Sequence, residues 1–383
     1  MKKNETRRCI MVLSNPFKPD YRVLKEAKSL VSNGYEITII AWDRENKYPL
    51  YEEINGIKIE RLKIKTPYGT GILKLNKAFL FWVEAIKRAK KKKALLIHCH
   101  DLDTLIVGVF LKIFYGIKVI YDAHENFPNM MTMSTPNIII QIIRMYEIFL
   151  LNFVDSIIVA SSVLGDEFKQ KTNIPVSVIG NWHYPQQLDE YIVQDIRGRY
   201  IKNAKILITY IGSLDLSRAL VPMIEAVKYQ PDIQFLICGD GMQRKIVSEL
   251  SAQIENVNYI GEIPLKMVPY FTAASDVIYY VLNEDSPIAN YNAPNSLGFA
   301  LITGKPMIAS DMGDLGRVIR STNCGILVKD SKVETLQEAI LSLRQKNVRD
   351  ELSRNALRAG KELYNWYHME ELLKKTYENI INV

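Results

Sequence analysis

Four stretches of this chain of 383 residues bring together residue types that can do chemistry. The first, His98-Cys99-His100-Asp101-Leu102-Asp103, follows the apolar run Ala94 to Ile97, which reads as a strand. On a strand His98 and His100 share a face, so two imidazoles could meet one ion; no third His or Cys ligand is placed by the spacing. The second, Asp122-Ala123-His124-Glu125, follows a strand at Lys118 to Tyr121. A histidine at the exit of a parallel strand can donate to a phosphate or a developing negative charge, and a purely structural histidine is the other reading. The third joins Gly212-Ser213 and Arg218, after a strand at Lys205 to Ile211, to Gly239-Asp240-Gly241, after a strand at Gln234 to Cys238. A cation beside a helix N-terminus suits a diphosphate, because charge-assisted hydrogen bonds are the strong ones. The fourth runs from Asn290 to Asp311: a turn-prone segment to Asn295, a helix-compatible segment Ser296 to Thr303, a stop at Gly304-Lys305-Pro306 and a short strand. A helix that starts after a turn presents free N–H groups and the positive end of its dipole, although an ordinary loop, helix and strand would look the same.

The elements that must position these groups alternate. Cys9 to Leu13 reads as a strand, Tyr21 to Asn33 as a helix with Val23, Leu24, Ala27, Leu30 and Val31 at helical spacing, and Tyr35 to Ala41 as a second strand. Such β-α-β units predict a parallel sheet with ligands at the strand C-terminal ends. No GxGxxG is present. Gly71 to Lys93 reads as a long helix with an aromatic part, Phe79 to Ile86, and a basic end, Lys87 to Lys93. It suits either an anionic bilayer or a protein core with a solvated tail. Ile138 to Phe153 reads as an apolar helix, Trp182 to Asn203 as a linker, and Trp366 to Ile381 as the last helix.

Composition sets bounds. The chain suits two domains, is 48% hydrophobic and 24% charged, and has no apolar run of the roughly 20 residues that span a bilayer. Cys9 to Leu13 is too short for a signal peptide. Cys9, Cys99, Cys238 and Cys324 form no CxxC pair, and buried reduced thiols favour the cytoplasm. Residues 1–190 hold 27 Lys+Arg against 20 Asp+Glu, while residues 191–383 hold 22 of each, so the whole net charge of +7 lies in the first half. That half suits an acidic partner such as an anionic lipid surface; nucleic acid is not expected.

The fourth stretch resembles the nucleotide-sugar loop of family 4 glycosyltransferases, with Pro294, Asn295, Leu297, Gly304, Lys305, Pro306, Ile308, Ala309, Ser310 and Asp311 in register. It departs at Ser296, Gly298 and Phe299, where the family typically has Lys, Phe and Glu. The runs around His98, around Asp122 and from Asp20-Tyr21-Arg22-Val23 to Leu30 are similar to segments of the same family. The resemblance implies a GT-B fold: two Rossmann-like α/β domains with parallel sheets facing across a cleft. The first would span 1–185 and the second 186–365, with the helix 366–383 packing back on the first. It implies sugar transfer from a nucleotide-sugar to a glycan or lipid-linked acceptor, with retention of configuration and neither metal nor cofactor. Asp101-Leu102-Asp103 then is not the metal-binding DxD of GT-A enzymes. By the same resemblance His124 and Arg218 are catalytic. Gly212, Ser213, Gly239, Gly241, Asn292, Asn295, Ser296, Leu297 and Phe299 hold the donor. Asp20, Arg22, His100, Asp101 and Glu125 line the acceptor side. The departures keep a second reading open, a GT-B-shaped binding subunit without transfer activity; a nucleotide-sugar epimerase of this fold is a third.

Overall fold

The computed structural model describes residues 7–18, 20–66, 75–127, 135–201, 205–283 and 294–381. The chain divides into two compact units, Met1–Gly180 with Glu370–Val383, and Asn181–Met369.

The first unit contains β1 (Arg7–Leu13), α1 (Tyr21–Ser32), β2 (Tyr35–Trp42), β3 (Tyr51–Ile54), β4 (Ile57–Leu62), α2 (Leu75–Lys91), β5 (Leu96–His100), α3 (Leu102–Tyr115), β6 (Lys118–Ala123), α4 (Asn137–Leu151), β7 (Ser156–Val159), α5 (Ser162–Lys171) and β8 (Val176–Val178). Its sheet has the order β3-β4-β2-β1-β5-β6-β7-β8 and is parallel except for the β3–β4 hairpin. The central strands are mainly apolar and buried, as expected of a parallel sheet covered on both faces. The chain leaves β1 toward β2 on one side and later places β5 on the other, so the switch point lies between β1 and β5. The loops that carry Asp20 and His100 leave the sheet there. Asp20 caps α1, its Oδ1 accepting from the Val23 N–H at 3.1 Å.

The aromatic part of α2 is divided: Phe79 and Leu80 are exposed, and Phe81 and Trp82 turn inward. Phe81 is buried and stacks on Trp42 with ring centroids 4.8 Å apart, and the Trp82 Nε1–H donates to the Asp103 carbonyl at 2.7 Å. The part of the expected helix before Leu75 lies outside the described residues.

In the second unit, α6 (Glu190–Tyr200) precedes β9 (Ile206–Ile211), α7 (Leu220–Val227), β10 (Ile233–Cys238), α8 (Arg244–Gln253), β11 (Val257–Tyr259), α9 (Val268–Ala274), β12 (Val277–Tyr280), α10 (Asn295–Thr303), β13 (Met307–Ser310), α11 (Gly313–Thr322), β14 (Gly325–Val328), α12 (Val333–Leu343) and α13 (Lys346–Glu362). The sheet is parallel throughout in the order β11-β10-β9-β12-β13-β14, with its switch point between β9 and β12. The stretch read as a linker is instead structured. Val193 and Ile196 of α6 are buried, and Arg197 pairs with Asp276 at 2.9 Å and donates to the Ala274 carbonyl at 2.8 Å. Only two of its apolar residues are fully buried, with Ile192 and Tyr200 partly so, and the helical period was too thin to read.

The last helix, α14 (Trp366–Ile381), belongs to the first unit from Glu370 onward. There Tyr377 is fully buried, its hydroxyl 2.7 Å from His98 Nδ1, and Thr376 bonds Ser177 at 2.7 Å.

Candidate active site

In the first unit the ends of β5 and β6 and the first turn of α1 converge on Asp122, which is fully buried. Arg22 reaches it from α1: Nη2 donates to Oδ1 at 2.9 Å, Nη1 donates to the Ile179 carbonyl at 2.7 Å, and Nε lies 3.2 Å from Glu26. A buried carboxylate is costly unless paired and hydrogen-bonded, and Arg22 supplies both. His124 Nε2 lies 3.1 Å from Asp122 Oδ2, and His100 Nδ1 lies 3.2 Å from the same oxygen. On its other side the His124 ring faces Asp101, with Nδ1 3.5 Å from Oδ2. That length is too great for a strong hydrogen bond, so this N–H is the one a ligand can take. Asp101 itself sits at φ 66°, an uncommon conformation for a residue other than glycine, and its Oδ1 accepts from the His124 backbone N–H at 3.3 Å.

Protonation follows from these contacts. Burial works against charge on His124, but Asp101 and then Asp122 outweigh it and raise its pKa to about 10. His124 is therefore an imidazolium at neutral pH, and its side chain is the network's cation with access to solvent, at 21% exposure. Burial also opposes ionisation of Asp122, yet Arg22 and His124 hold its carboxyl well below the usual range. Glu26 goes the other way: burial dominates over Arg22 and pushes it up to about 8, so it is mainly protonated at neutral pH. Burial and the neighbouring His98 keep His100 neutral. The site thus offers one positive donor at a strand exit, with its position and charge fixed by two carboxylates.

Glu26, His98, His100 and Asp122 each present a ligand atom within 4.8 Å of the others. His98 and His100 do share a face, their rings stacked at 4.2 Å. Two histidines and two carboxylates are the donor set of a cation site. Here the Arg22 guanidinium is already ion-paired to Asp122 at 2.9 Å and lies 3.2 Å from the Glu26 carboxyl group, and it fits the cluster as its resident cation.

The residues expected on the acceptor side are placed differently from one another. Asp101 and Glu125 are partly or largely open to solvent. His100 is buried within the network. Arg22 is only 7% exposed with its guanidinium held by Asp122, Glu26 and Ile179, so its side chain does not line an open surface. Both oxygens of Asp20 are taken, one by the α1 cap and one by the Asn15 amide at 2.9 Å.

In the second unit, Arg218 lies at the switch point. The residues on either side of it are tied to the chain just after β12 by Ala219 N–H to Val281 O at 3.0 Å and Asn283 N–H to Ser217 O at 2.8 Å. The Arg218 guanidinium carbon is 4.8 Å from the centre of the Tyr280 ring, a cation–π distance, and the residue is 8% exposed. Its Nε and Nη1 are buried and have no hydrogen-bond partner among the described residues. Buried donors left unmade are expensive, and such donors at a strand C-terminal edge are a receptor for an anion. Gly212 and Gly239 bring the β9 and β10 loops together. A Cβ on Gly239 would sit 1.8 Å from the Gly212 carbonyl oxygen, so no other residue fits there. Gly241 lies in the same loop, its N–H bonded to the Asp240 carboxylate at 2.8 Å. The Ser213 hydroxyl donates to Asp215 at 2.5 Å.

The N-terminal turn of α10 holds Asn295, whose side chain accepts from the Asn181 amide at 3.2 Å, and Ser296, whose Oγ is buried without a partner among the described residues. The first turn of a nine-residue helix leaves N–H groups for an anion. Leu297 is fully buried in the core, so its side chain meets hydrophobic neighbours rather than a ligand. Phe299 is likewise 5% exposed and lies against His183. Asn292 lies outside the described residues. His183, Tyr280 and Tyr377 were not expected. Glu26 was read only as part of the family-like run from Asp20 to Leu30, and its i, i+4 spacing from Arg22 was a further local signal.

Comparisons with known proteins agree with this layout. Residues 21–185 match the family model described as Glycosyltransferase Family 4, and residues 192–362 match that of Glycosyl transferases group 1. Phosphatidyl-myo-inositol mannosyltransferase of Mycobacterium leprae is 26% identical over 160 residues, 39% of this chain and 38% of that protein. An uncharacterized glycosyltransferase of Methanocaldococcus jannaschii is 24% identical over 186 residues, 46% of each chain. The chain therefore matches less than half the length of either curated relative. Sucrose-phosphate synthase from Thermosynechococcus elongatus shares the fold with a TM-score of 0.75 at 18% identity, over 98% of this chain and 100% of that one. Anabaena HepE in complex with UDP does so with a TM-score of 0.76 at 14% identity, over 97% and 100%. Two Rossmann-like units with these parallel sheets define the GT-B class of fold. Within that class, the chain belongs to glycosyltransferase family 4.

Proposed function

We propose that this chain transfers a sugar from a nucleotide-sugar donor to a hydroxyl of a glycan or lipid-linked acceptor, with retention of configuration and without a metal or cofactor. The observation that carries the reading is Arg218, whose Nε and Nη1 are buried at the switch point of the second sheet without a hydrogen-bond partner among the described residues. In the reaction the bond from the anomeric carbon to the diphosphate oxygen breaks, and its electron pair leaves on the diphosphate. The acceptor oxygen bonds the anomeric carbon, and its proton passes to the leaving phosphate. Arg218 and the first N–H groups of α10 stabilise the charge that develops on the diphosphate, the role otherwise filled by a metal. The His124 imidazolium supplies a second cationic donor toward the sugar or its phosphate. Retention and metal independence rest on family membership. Since HepE has been solved with UDP and with UDP-glucose, uridine sugars are the first donors to try. We place the chain in the cytoplasm, working on an acceptor at the inner membrane face, with the basic first half toward the anionic surface.

The test is turnover of a panel of nucleotide-sugars by the full chain, read as release of nucleoside diphosphate. One base should be preferred, and Arg218→Ala should lower kcat/KM by about 100-fold or more, the usual cost of one such donor. A folded protein that binds a nucleotide but neither transfers nor hydrolyses any sugar would favour the non-catalytic subunit instead.

A further inference from the structure

We propose that the outward face formed by α3 and α4 docks into the surface of an anionic bilayer. In α4, Ile138, Ile142, Met145 and Phe149 follow at steps of four, three and four, which places them in one stripe. Their exposures are 69%, 58%, 70% and 60%. This stripe is the outer side of the helix, since Ile140, Glu147, Leu150 and Leu151 on the opposite side are buried, the two leucines in the core of the first unit. The outer side of a helix in a soluble unit normally carries charge, yet α4 has only Arg144 and Glu147, one half-buried and the other buried. The neighbouring α3 continues the pattern with Phe110 and Phe114, rings 4.4 Å apart and exposed by 36% and 63%. Apolar faces of this extent mark an interaction site.

The charge around the face selects the occupant. Neither α3 nor α4 exposes a carboxylate: Asp103 is half-buried and Glu147 buried. The basic end of α2 reaches the same edge, with Lys90 Nζ 4.8 Å from the centre of the Tyr115 ring at the end of α3. Lys91 and Lys93 beside it are exposed. An apolar stripe bordered by lysines is the pattern of an interfacial helix on anionic lipid, where each basic residue adds to the attraction. In the aromatic part of α2, the stretch whose sequence suggested lipid contact, Phe81 is buried in the core while Phe79 and Leu80 are exposed by 60% and 47%. The helices after β5 and β6 carry the longer exposed apolar stripe, and the end of α2 contributes charge. The purpose of docking, access to a lipid-linked acceptor, rests on the transferase reading; the evidence for the surface does not.

Vesicle flotation of the full chain without nucleotide tests this. The vesicles are phosphatidylcholine with or without one third phosphatidylglycerol. The chain should float with the anionic vesicles. Ile142→Ser with Phe149→Ser, at exposed positions that leave the melting temperature unchanged, should reduce binding by about tenfold or more, and so should Lys90→Glu with Lys91→Glu and Lys93→Glu, whose effect salt should mimic. No flotation of the wild-type chain, or equal flotation of the α4 variant, would overturn the proposal. So would a concentration-dependent dimer that the α4 variant abolishes, which would assign the face to a second copy. Nucleotide binding measured in parallel separates this failure from failure of the transferase reading.

Discussion

Phe299 lies flat on His183, with ring centroids 3.7 Å apart and planes 13° from parallel. The relationship accounts for two departures from the family pattern together. A Cβ at Gly298 would sit 2.8 Å from His183 Cδ2, so only glycine leaves room for the imidazole, and Phe299 then covers its face. Gly298→Ala should therefore destabilise by about 1–3 kcal/mol through overpacking, and His183→Ala should cost at least the ~0.5–1.5 kcal/mol of an aromatic pair. Urea denaturation measures both. In Gly298→Ala combined with His183→Ala the clash is gone, so the two costs should add to less than their sum.

Arg22 is the support on which the first unit's network stands. Replacing it by Met leaves Asp122 buried without its main partner, a change that typically costs about 3–5 kcal/mol. Arg22→Lys should recover little, because one ammonium cannot reach Asp122, Glu26 and the Ile179 carbonyl as the planar guanidinium does. Equilibrium unfolding of both variants checks this; near-wild-type stability of Arg22→Met would remove the network from the account.

The same network predicts how stability depends on pH. His124 rises from 6.5 to about 10 on folding, so between those values the folded chain keeps a proton that the unfolded chain has released. Its contribution is complete below 6.5 and is lost as pH rises through 10. Glu26, raised from 4.5 to about 8, has the same sign over a lower window. Asp122 is depressed, so its contribution is lost as pH falls below the ordinary carboxylate range. Stability should thus decline from mildly acidic to alkaline pH. His124→Gln should flatten the decline between pH 6.5 and 10, which denaturation midpoints across that range measure.

Much of the architecture was legible because its signals are local. The buried strands β1, β2, β5, β6 and β9 are mainly apolar, and Gly34 and Gly304 end helices where helix-stopping residues should. His124 and Arg218 stand at strand exits, where a parallel sheet places ligands. What was not legible depends on partners distant in sequence. Arg22 looked like an acceptor-side residue, but its burial is decided by Asp122, 100 residues on. His183 lies in a segment whose polar composition hid a packed helix, and nothing local ties it to Phe299. The apolar character of Ile138 to Phe153 was plain, whereas the exposed half of it depends on which side meets the sheet.

Arg218 carries the central claim, and calorimetric titration with nucleoside diphosphates tests it most directly. One base should bind the wild-type chain without added metal. Arg218→Ala, still folded, should weaken that binding by about tenfold or more, since a hydrogen bond to a charged group is worth about 1.5–3 kcal/mol. A well-folded wild-type chain that binds no nucleoside diphosphate, or one whose binding is unchanged in Arg218→Ala, would contradict it.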